Sequence, residues 1–219
     1  MNGLEAVRPG LLVTLEGPGG AGKSTVTELV AGRLSAAGLP VLATTEPSRT
    51  ELGTFVRGST DEYGGLTLAY LVAADRHHHL ETEVRPALGA GRIVVCDRYI
   101  ASSLVLQGMD DVEEQTIWDL ARHAELPDLA VVLSASPDVL AARVAARGPQ
   151  SRWERYPGHS AVEVGLYLAA AASLRARGVE VVCIDSSDTP AADIADRVAE
   201  LVGGRVEAAS ASRSGRPWS

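Results

Sequence analysis

Gly17-Pro18-Gly19-Gly20-Ala21-Gly22-Lys23-Ser24-Thr25 carries the clearest chemistry in this chain. Its spacing is G-x-x-x-x-G-K-[ST], and it falls between a short aliphatic run and a helical pattern, the context such a loop requires. Glycines let backbone N–H groups curl around a β-phosphate, and the helix that follows turns its positive end toward the same anion. Lys23 adds a mobile cation for the β- and γ-phosphates, and the Ser24 hydroxyl is suited to Mg²⁺. Gly17, Gly20, Ala21, Gly22, Lys23, Ser24 and Thr25 are therefore read as a site for ATP with Mg²⁺. The loop alone does not separate a GTPase, a motor ATPase and a small-molecule kinase. A GTPase would carry a base-reading N-K-x-D, which does not occur, and the chain is short for a motor's accessory modules.

Two further groups could act on phosphate. Asp97 and Arg98 follow the apolar run Arg92–Cys96. Ligands of open parallel sheets sit beyond such carboxyl ends, and arginine offers a planar fork to phosphate oxygens. Arg143 and Arg147 stand four apart on one helical face, with Arg152 and Arg155 just beyond. Arginines so dense in an acidic protein suggest a closing lid, near residues 147–156, that neutralises a transferring phosphoryl group. His77-His78-His79 points in three directions on a helix and is read as a polar run, not a metal cluster.

These groups need a frame. Five short aliphatic runs, Leu11–Glu16, Pro40–Thr44, Arg92–Cys96, Leu129–Ser134 and Val179–Ile184, alternate with helical stretches near Gly22–Ala36, Leu66–Leu88, Glu113–Ala124, Pro137–Arg147, Ala161–Arg177 and Ala191–Val202. Continuous aliphatic strands of this kind are covered by helices on both faces, so an α/β parallel sheet is expected. Gly38, Gly91 and Gly178 punctuate helix-to-strand steps. Residues 1–203 form one kinase-sized domain, and 204–219, lacking periodicity, are expected to be a disordered tail. With 46% apolar residues and 4% aromatics in 219 residues, the core must be aliphatic. A net charge of −8 argues against coating nucleic acid or an anionic membrane. No apolar run reaches membrane-spanning length, and Met1–Pro9 has no signal core, so a cytoplasmic protein is expected. Cys96 and Cys183 both lie in β-rich runs and are read as buried reduced thiols.

Thr44-Thr45-Glu46-Pro47, Ala74-Asp75-Arg76, Asp97-Arg98-Tyr99 with Ser102 and Gln107-Gly108, Pro127-Asp128-Leu129, and Arg143/Arg147-Gly148/Arg152 follow the phosphate loop in order. Through these segments, from about Leu11 to Val202, the chain resembles thymidylate kinase, within the P-loop nucleoside monophosphate kinases. The resemblance implies a three-layer P-loop NTPase fold with a five-stranded sheet of order 2-3-1-4-5. It implies ATP-dependent transfer of a γ-phosphoryl group to a nucleoside monophosphate, dTMP or a related or modified nucleotide. Catalytic roles would fall to Lys23, Asp97, Arg98, Arg147 and Arg152, with Mg²⁺ at Ser24 and Asp97 and Arg143 beside the donor. The small-molecule acceptor would meet Glu46, Arg49, Arg57, Val72, Arg76, Arg98, Ser103 and Gln107. Family proteins are often dimers, which leaves a homodimer open.

The acceptor side departs from the family pattern. Gly19 stands where the loop usually has an acid, Thr45 where it has arginine, Val72 where a ring stacks on thymine, Leu106 where a tyrosine crowds the sugar, and Ser151 where the lid has aspartate. These losses predict that dTMP is a poor acceptor, with Arg49, Trp153 or Tyr99 as sources of compensation. Two other readings are a kinase for a non-nucleotide metabolite and a nucleotide-binding regulator without turnover.

Overall fold

The computed structural model describes residues 10–214. Five strands, β1 (Leu11–Glu16), β2 (Val41–Thr45), β3 (Ile93–Asp97), β4 (Leu129–Ser134) and β5 (Val181–Asp185), form one parallel sheet of order β2-β3-β1-β4-β5. This is the expected order, and each strand lies within a residue or two of its expected bounds.

The period-two geometry of a strand explains why continuous aliphatic runs occupy the centre. Leu12, Val94, Cys96, Ala130 and Val132 face one layer, where they meet Ile100, Trp118, Tyr167 and Leu174. Val13, Leu15, Ile93, Val95, Val131 and Leu133 face the other, against Val26, Val30, Ile194 and Val198. Helix α1 (Lys23–Ala36) starts inside the phosphate loop and packs beside the last helix, α9 (Ala191–Ser214), on that second face.

Four expectations change. First, two helices were not anticipated: α2 (Glu51–Gly58), whose Thr50 side chain accepts the Gly53 N–H as an N-cap, and α5 (Ile100–Leu106). Second, the single helix expected over Leu66–Leu88 is broken. It comprises α3 (Gly65–His79), a π-helical turn Leu80–Val84, and α4 (Arg85–Gly89). Pro86 has no N–H for the carbonyl four residues back, so the ladder widens just before it. Third, the expected tail from 204 onward is helical through Ser214 as part of α9, and 215–219 lie outside the described residues. Fourth, Cys96 is buried but Cys183 is exposed, because β5 is an edge strand covered less fully than the centre.

Helices α6 (Glu114–Leu120), α7 (Pro137–Arg147) and α8 (His159–Ala176) complete the layers. The Ser136 side chain caps α7, with Pro137 at its first turn, as the sequence signals require. Among the described residues no helix is long and apolar enough to cross a membrane.

Candidate active site

A cleft of about 530 Å³ opens beyond the carboxyl ends of β1, β2 and β3. Gly20, Gly22, Lys23, Ser24 and Thr25 line one end, Val72, Arg76, Ser103 and Gln107 the other, and Asp97 and Arg98 lie between.

At the donor end, Gly17 sits with φ 141° against β4, where an added Cβ would fall 2.1 Å from the Leu133 carbonyl oxygen. Only glycine lets the loop leave β1 this close to its neighbour. Lys23 is buried, and its ammonium donates to the Pro18 carbonyl at 2.7 Å. Burial, then the Arg98 guanidinium, pulls its pKa down to about 7, against the pull of Asp97, Glu163 and Glu16. The lysine is thus not the exposed loop charge that loop position suggests. It sits folded on its own loop, short of the counter-charge that phosphates would supply. Arg143 donates to the Ser186 and Ser187 carbonyls at 2.8 and 3.1 Å and reaches the Gly20 carbonyl, bordering the loop as expected of a donor-side residue.

The Ser24 hydroxyl donates to Asp97 Oδ2 at 2.5 Å, and Asp97 Oδ1 is buried without a partner. A hydroxyl and a carboxylate with an unused oxygen form the hard donor set that Mg²⁺ takes through a few protein contacts. Ser24 and Asp97 therefore fit the metal read from the sequence.

Arg98 lies between the two ends in the left-handed region, φ 69°. Non-glycine residues adopt this only where their surroundings over-determine it. Its guanidinium donates to the Tyr167 hydroxyl at 3.1 Å and approaches the Ser102 hydroxyl at 3.4 Å. Beneath them Glu16, the last residue of β1, accepts the Ala101 and Ser102 N–H groups and the Ser102 hydroxyl. Burial raises its carboxyl to about 7, while Ser102 and Arg98 work the other way. Glu16 and Tyr167 were not among the expected site residues.

At the acceptor end, Arg76 is buried. It donates to Glu46 Oε2 at 2.7 Å and to the Ser103 hydroxyl at 2.8 Å, with its guanidinium over the Tyr99 ring. Gln107 is buried with its Oε1 unpartnered. Val72 borders the cleft in a cluster with Val56, Leu68, Leu106 and Trp153. Arg57 also lines the cleft and donates to the Pro47 carbonyl. Arg49 does not: it is exposed and outside the cleft wall, so it does not stand in for Thr45.

The lid expected near 147–156 joins α7 to α8 through a 3-10 turn, Trp153–Arg155. Its arginines divide. Arg147 lines the cleft and pairs with Glu154 at 2.6 Å. Arg152 turns away from the cleft to Asp110 and lies over the Trp153 ring, and Asp110 also accepts the Trp153 indole N–H. Arg155 pairs with Asp61 on the surface.

Gly19 explains part of the acceptor-side divergence. A Cβ there would lie 2.3 Å from Glu154 Oε1, and its N–H donates to Glu163 Oε2 at 2.8 Å. Carboxylates from the lid and from α8 fill the space beside the loop that a loop side chain would need. Glu163 lies four residues before Tyr167, on the same face of α8. That spacing was a readable signal, but only with the cleft in hand.

A phosphate loop on the first strand of a 2-3-1-4-5 sheet, an arginine beyond β3 and an arginine-bearing lid over a second pocket define a P-loop nucleoside monophosphate kinase. Residues 15–175 match the thymidylate kinase family. A thymidylate kinase of Leifsonia xyli is 35% identical over 91% of this chain and 97% of its own length. One from Clavibacter michiganensis is 40% identical over 67% of this chain and 72% of its own, and one from a Synechococcus strain is 35% identical over 93% and 99%. The chain belongs to the thymidylate kinase family and is an ATP-dependent phosphotransferase of that type. The readings as a metabolite kinase or a regulator without turnover gain no support.

Proposed function

We propose that the chain transfers the γ-phosphoryl group of ATP to dTMP. The observation that carries this reading is the single cleft that joins an intact phosphate loop to a pocket walled by Arg76, Gln107 and Val72, with Arg98 midway. Lys23, Arg98 and Arg147 are the cations placed to gather charge around the transferred group, and catalysis is positioning plus charge stabilisation. Mg²⁺ belongs at Ser24 and Asp97, where it would neutralise donor phosphate charge. Arg76 and Gln107 offer donors and acceptors to the base edge, and Ser103 fixes the arginine.

Against the expectation that dTMP is a poor acceptor, two residues support its use. Trp153 brings an aromatic ring into the cluster that holds Val72, and Arg57, bonded to the Pro47 carbonyl, brings a guanidinium to the cleft wall that Thr45 also lines. The relatives' shared name supports the same acceptor. Leu106 still lacks a phenol to crowd a 2′-hydroxyl, so discrimination against ribose is expected to be weak.

The test is kcat/KM for dTMP beside dUMP, UMP, CMP and a sugar phosphate. For dTMP we expect about 10⁴ M⁻¹s⁻¹ or more, above every other acceptor, with UMP within roughly tenfold of dUMP. A better acceptor than dTMP would overturn the reading. A homodimer also belongs to this proposal, supported by the exposed Phe55, Leu66 and Tyr70 on α2 and α3, as does a cytoplasmic site of action. Sedimentation at several protein concentrations tests the dimer.

A further inference from the structure

The three consecutive histidines have different fates. His77 meets the Leu120 carbonyl, His78 is exposed, and His79 is fully buried at 0% exposure. Nothing in the phosphoryl-transfer reading uses His79, and no group of residues suited to a metal occurs among the described residues. The bland expectation of a polar run does not account for a ring buried at the end of α3.

The partners of that ring do. Nδ1 faces Glu46 Oε1 at 3.3 Å, and Nε2 faces Glu83 Oε2 at 2.9 Å, with the Thr44 hydroxyl at 2.8 Å from the same nitrogen. Thr44 itself donates to Glu83 Oε2. A neutral imidazole has one N–H, so one of its nitrogens would aim a lone pair at a carboxylate oxygen. Only the imidazolium donates to both. The charge count agrees: two carboxylates, Glu46 and Glu83, against Arg76 and a protonated His79. The other ionisable groups around Glu46 and Arg76 are the Cys96 thiol on β3, the Tyr99 phenol and the Glu16 carboxyl on β1; burial pushes all three up, keeping the thiol and phenol neutral and raising Glu16 to about 7.

The link to the cleft runs through Glu46. One of its oxygens meets His79 and the other accepts from Arg76, whose far nitrogen holds Ser103. Glu83, in the π-helical turn four residues after His79, lies beside the ring.

We propose that His79, protonated between Glu83 and Glu46, is a positioning residue for the acceptor: it pins Glu46, and through Glu46 it sets the guanidinium of Arg76 on the cleft wall. It touches no substrate. Its removal releases one oxygen of Glu46, which is then free to pull Arg76 from Ser103. Burial alone would lower the ring's pKa, but hydrogen bonding and charge from Glu46 and then Glu83 outweigh it, so the pKa is raised from 6.5. The positioning is therefore present at low and neutral pH and is lost as pH climbs through the raised value.

This inference rests on the reading that Arg76 faces the acceptor, and two measurements separate the one from the other. The first is the ¹⁵N and ¹H shifts of the His79 ring in the free protein across pH about 5 to about 10, a range spanning the ordinary histidine value. A doubly protonated ring that titrates above the ordinary histidine, with a midpoint that drops in Glu83→Gln, is expected. Glu83 is 43% exposed, so that variant keeps the fold. A ring found neutral at slightly acid pH overturns the proposal whatever the acceptor is. The second is the pH profile of KM for dTMP. KM should rise through the same midpoint and shift with it in Glu83→Gln, while the pH profile of KM for ATP, which follows Lys23, is the same in both proteins. The acceptor's own ionisations are common to both proteins, so the difference between profiles isolates His79. His79→Gln should raise KM for dTMP about tenfold, with kcat within about twofold. A KM profile that stays in place when the ring's midpoint moves overturns the positioning role. Absence of any dTMP turnover would instead remove the acceptor reading, leaving the ring titration to decide the protonated pair.

Discussion

The phosphate loop comes from one stretch, Gly17–Thr25, whereas the acceptor wall gathers Glu46, Val72, Arg76, Ser103 and Gln107 from the loop after β2, α3, α5 and the residue that follows α5. The loop is held partly by its own backbone, through the Pro18 carbonyl, and partly by single side chains, Glu163, Asp97 and Arg143, from three other elements. The acceptor wall depends on a chain of ionisable side chains that starts at the half-exposed Glu83, runs through the buried His79, Glu46 and Arg76, and closes on Ser103. The two halves should therefore fail differently. Loop changes act on charge at the transferred group and leave the fold alone. Changes on the acceptor wall leave buried partners unpaired, so they act on binding and stability together.

The largest effect is expected at Lys23. Lys23→Ala should lower kcat by roughly 10² or more, as for the loss of one contact to charge formed in the transition state. The melting temperature should not fall, because this ammonium is desolvated in the free protein and its one bond is to Pro18. The sign of the proton linkage gives an independent check. Lys23 titrates near 7 in the free fold against 10.5 ordinarily, so at pH about 8 it is largely neutral. Phosphates beside it raise that value, so binding an ATP analogue should take up close to one proton. Calorimetry in buffers of different ionisation enthalpy reads this uptake. Binding without uptake, or the same uptake in Lys23→Ala, would place the nucleotide away from Lys23.

A middle-sized effect separates the two lid arginines, which sequence alone puts in the same role. Arg147 lines the cleft, while Arg152 is engaged by Asp110 and the Trp153 ring. Arg147→Ala should cut kcat by about 30-fold, less than the roughly 10²–10³ for losing a buried charge-stabilising donor, because Arg147 is partly exposed and shared with Glu154. Arg152→Ala loses a partly exposed pair and should stay within about threefold in kcat. Equal losses in kcat would mean that Arg152 swings into the cleft during turnover.

How far the site could be read from the sequence follows the same division. The loop, Asp97 and Arg98 were legible because glycine spacing and a strand's carboxyl end are local signals. The five strands were legible because each is a continuous aliphatic run covered on both faces. Arg49 is not legible for the opposite reason: whether it or Arg57 reaches the cleft depends on α2 and its Thr50 cap, not on local spacing. His79, Glu154 and Glu163 are separated from their partners by long stretches of chain or by a turn of changed pitch. A one-dimensional reading has no means of knowing that Glu163 lies under Gly19, or that the helix widens before Pro86 while His79 meets Glu46. The missing loop acid at Gly19 looked like a lost function. In the structure the space beside Gly19 is filled by the carboxylates of Glu154 from the lid and Glu163 from α8.

The smallest effect tests the acceptor wall at its most altered point. Val72 gives the cleft an aliphatic contact where the family places a ring, and it is half-buried beside Leu68, Leu106 and Trp153. If a planar base lies against this wall, Val72→Phe adds a ring face to it. A stacked aromatic pair is worth about 0.5–1.5 kcal/mol beyond area burial, so KM for dTMP should fall by roughly 2- to 12-fold. The value should sit at the low end, because the added ring crowds a cluster that already contains Trp153, and overpacking offsets part of the gain. The contact is made equally in the ground and transition states, so kcat should hold and the gain should appear in KM alone. A sugar phosphate, having no planar base, should gain nothing. An unchanged KM for dTMP, or an equal gain for the sugar phosphate, would mean that the base does not lie against Val72. The half of the cleft that sequence comparison marks as rewritten would then bind its acceptor in a different pose.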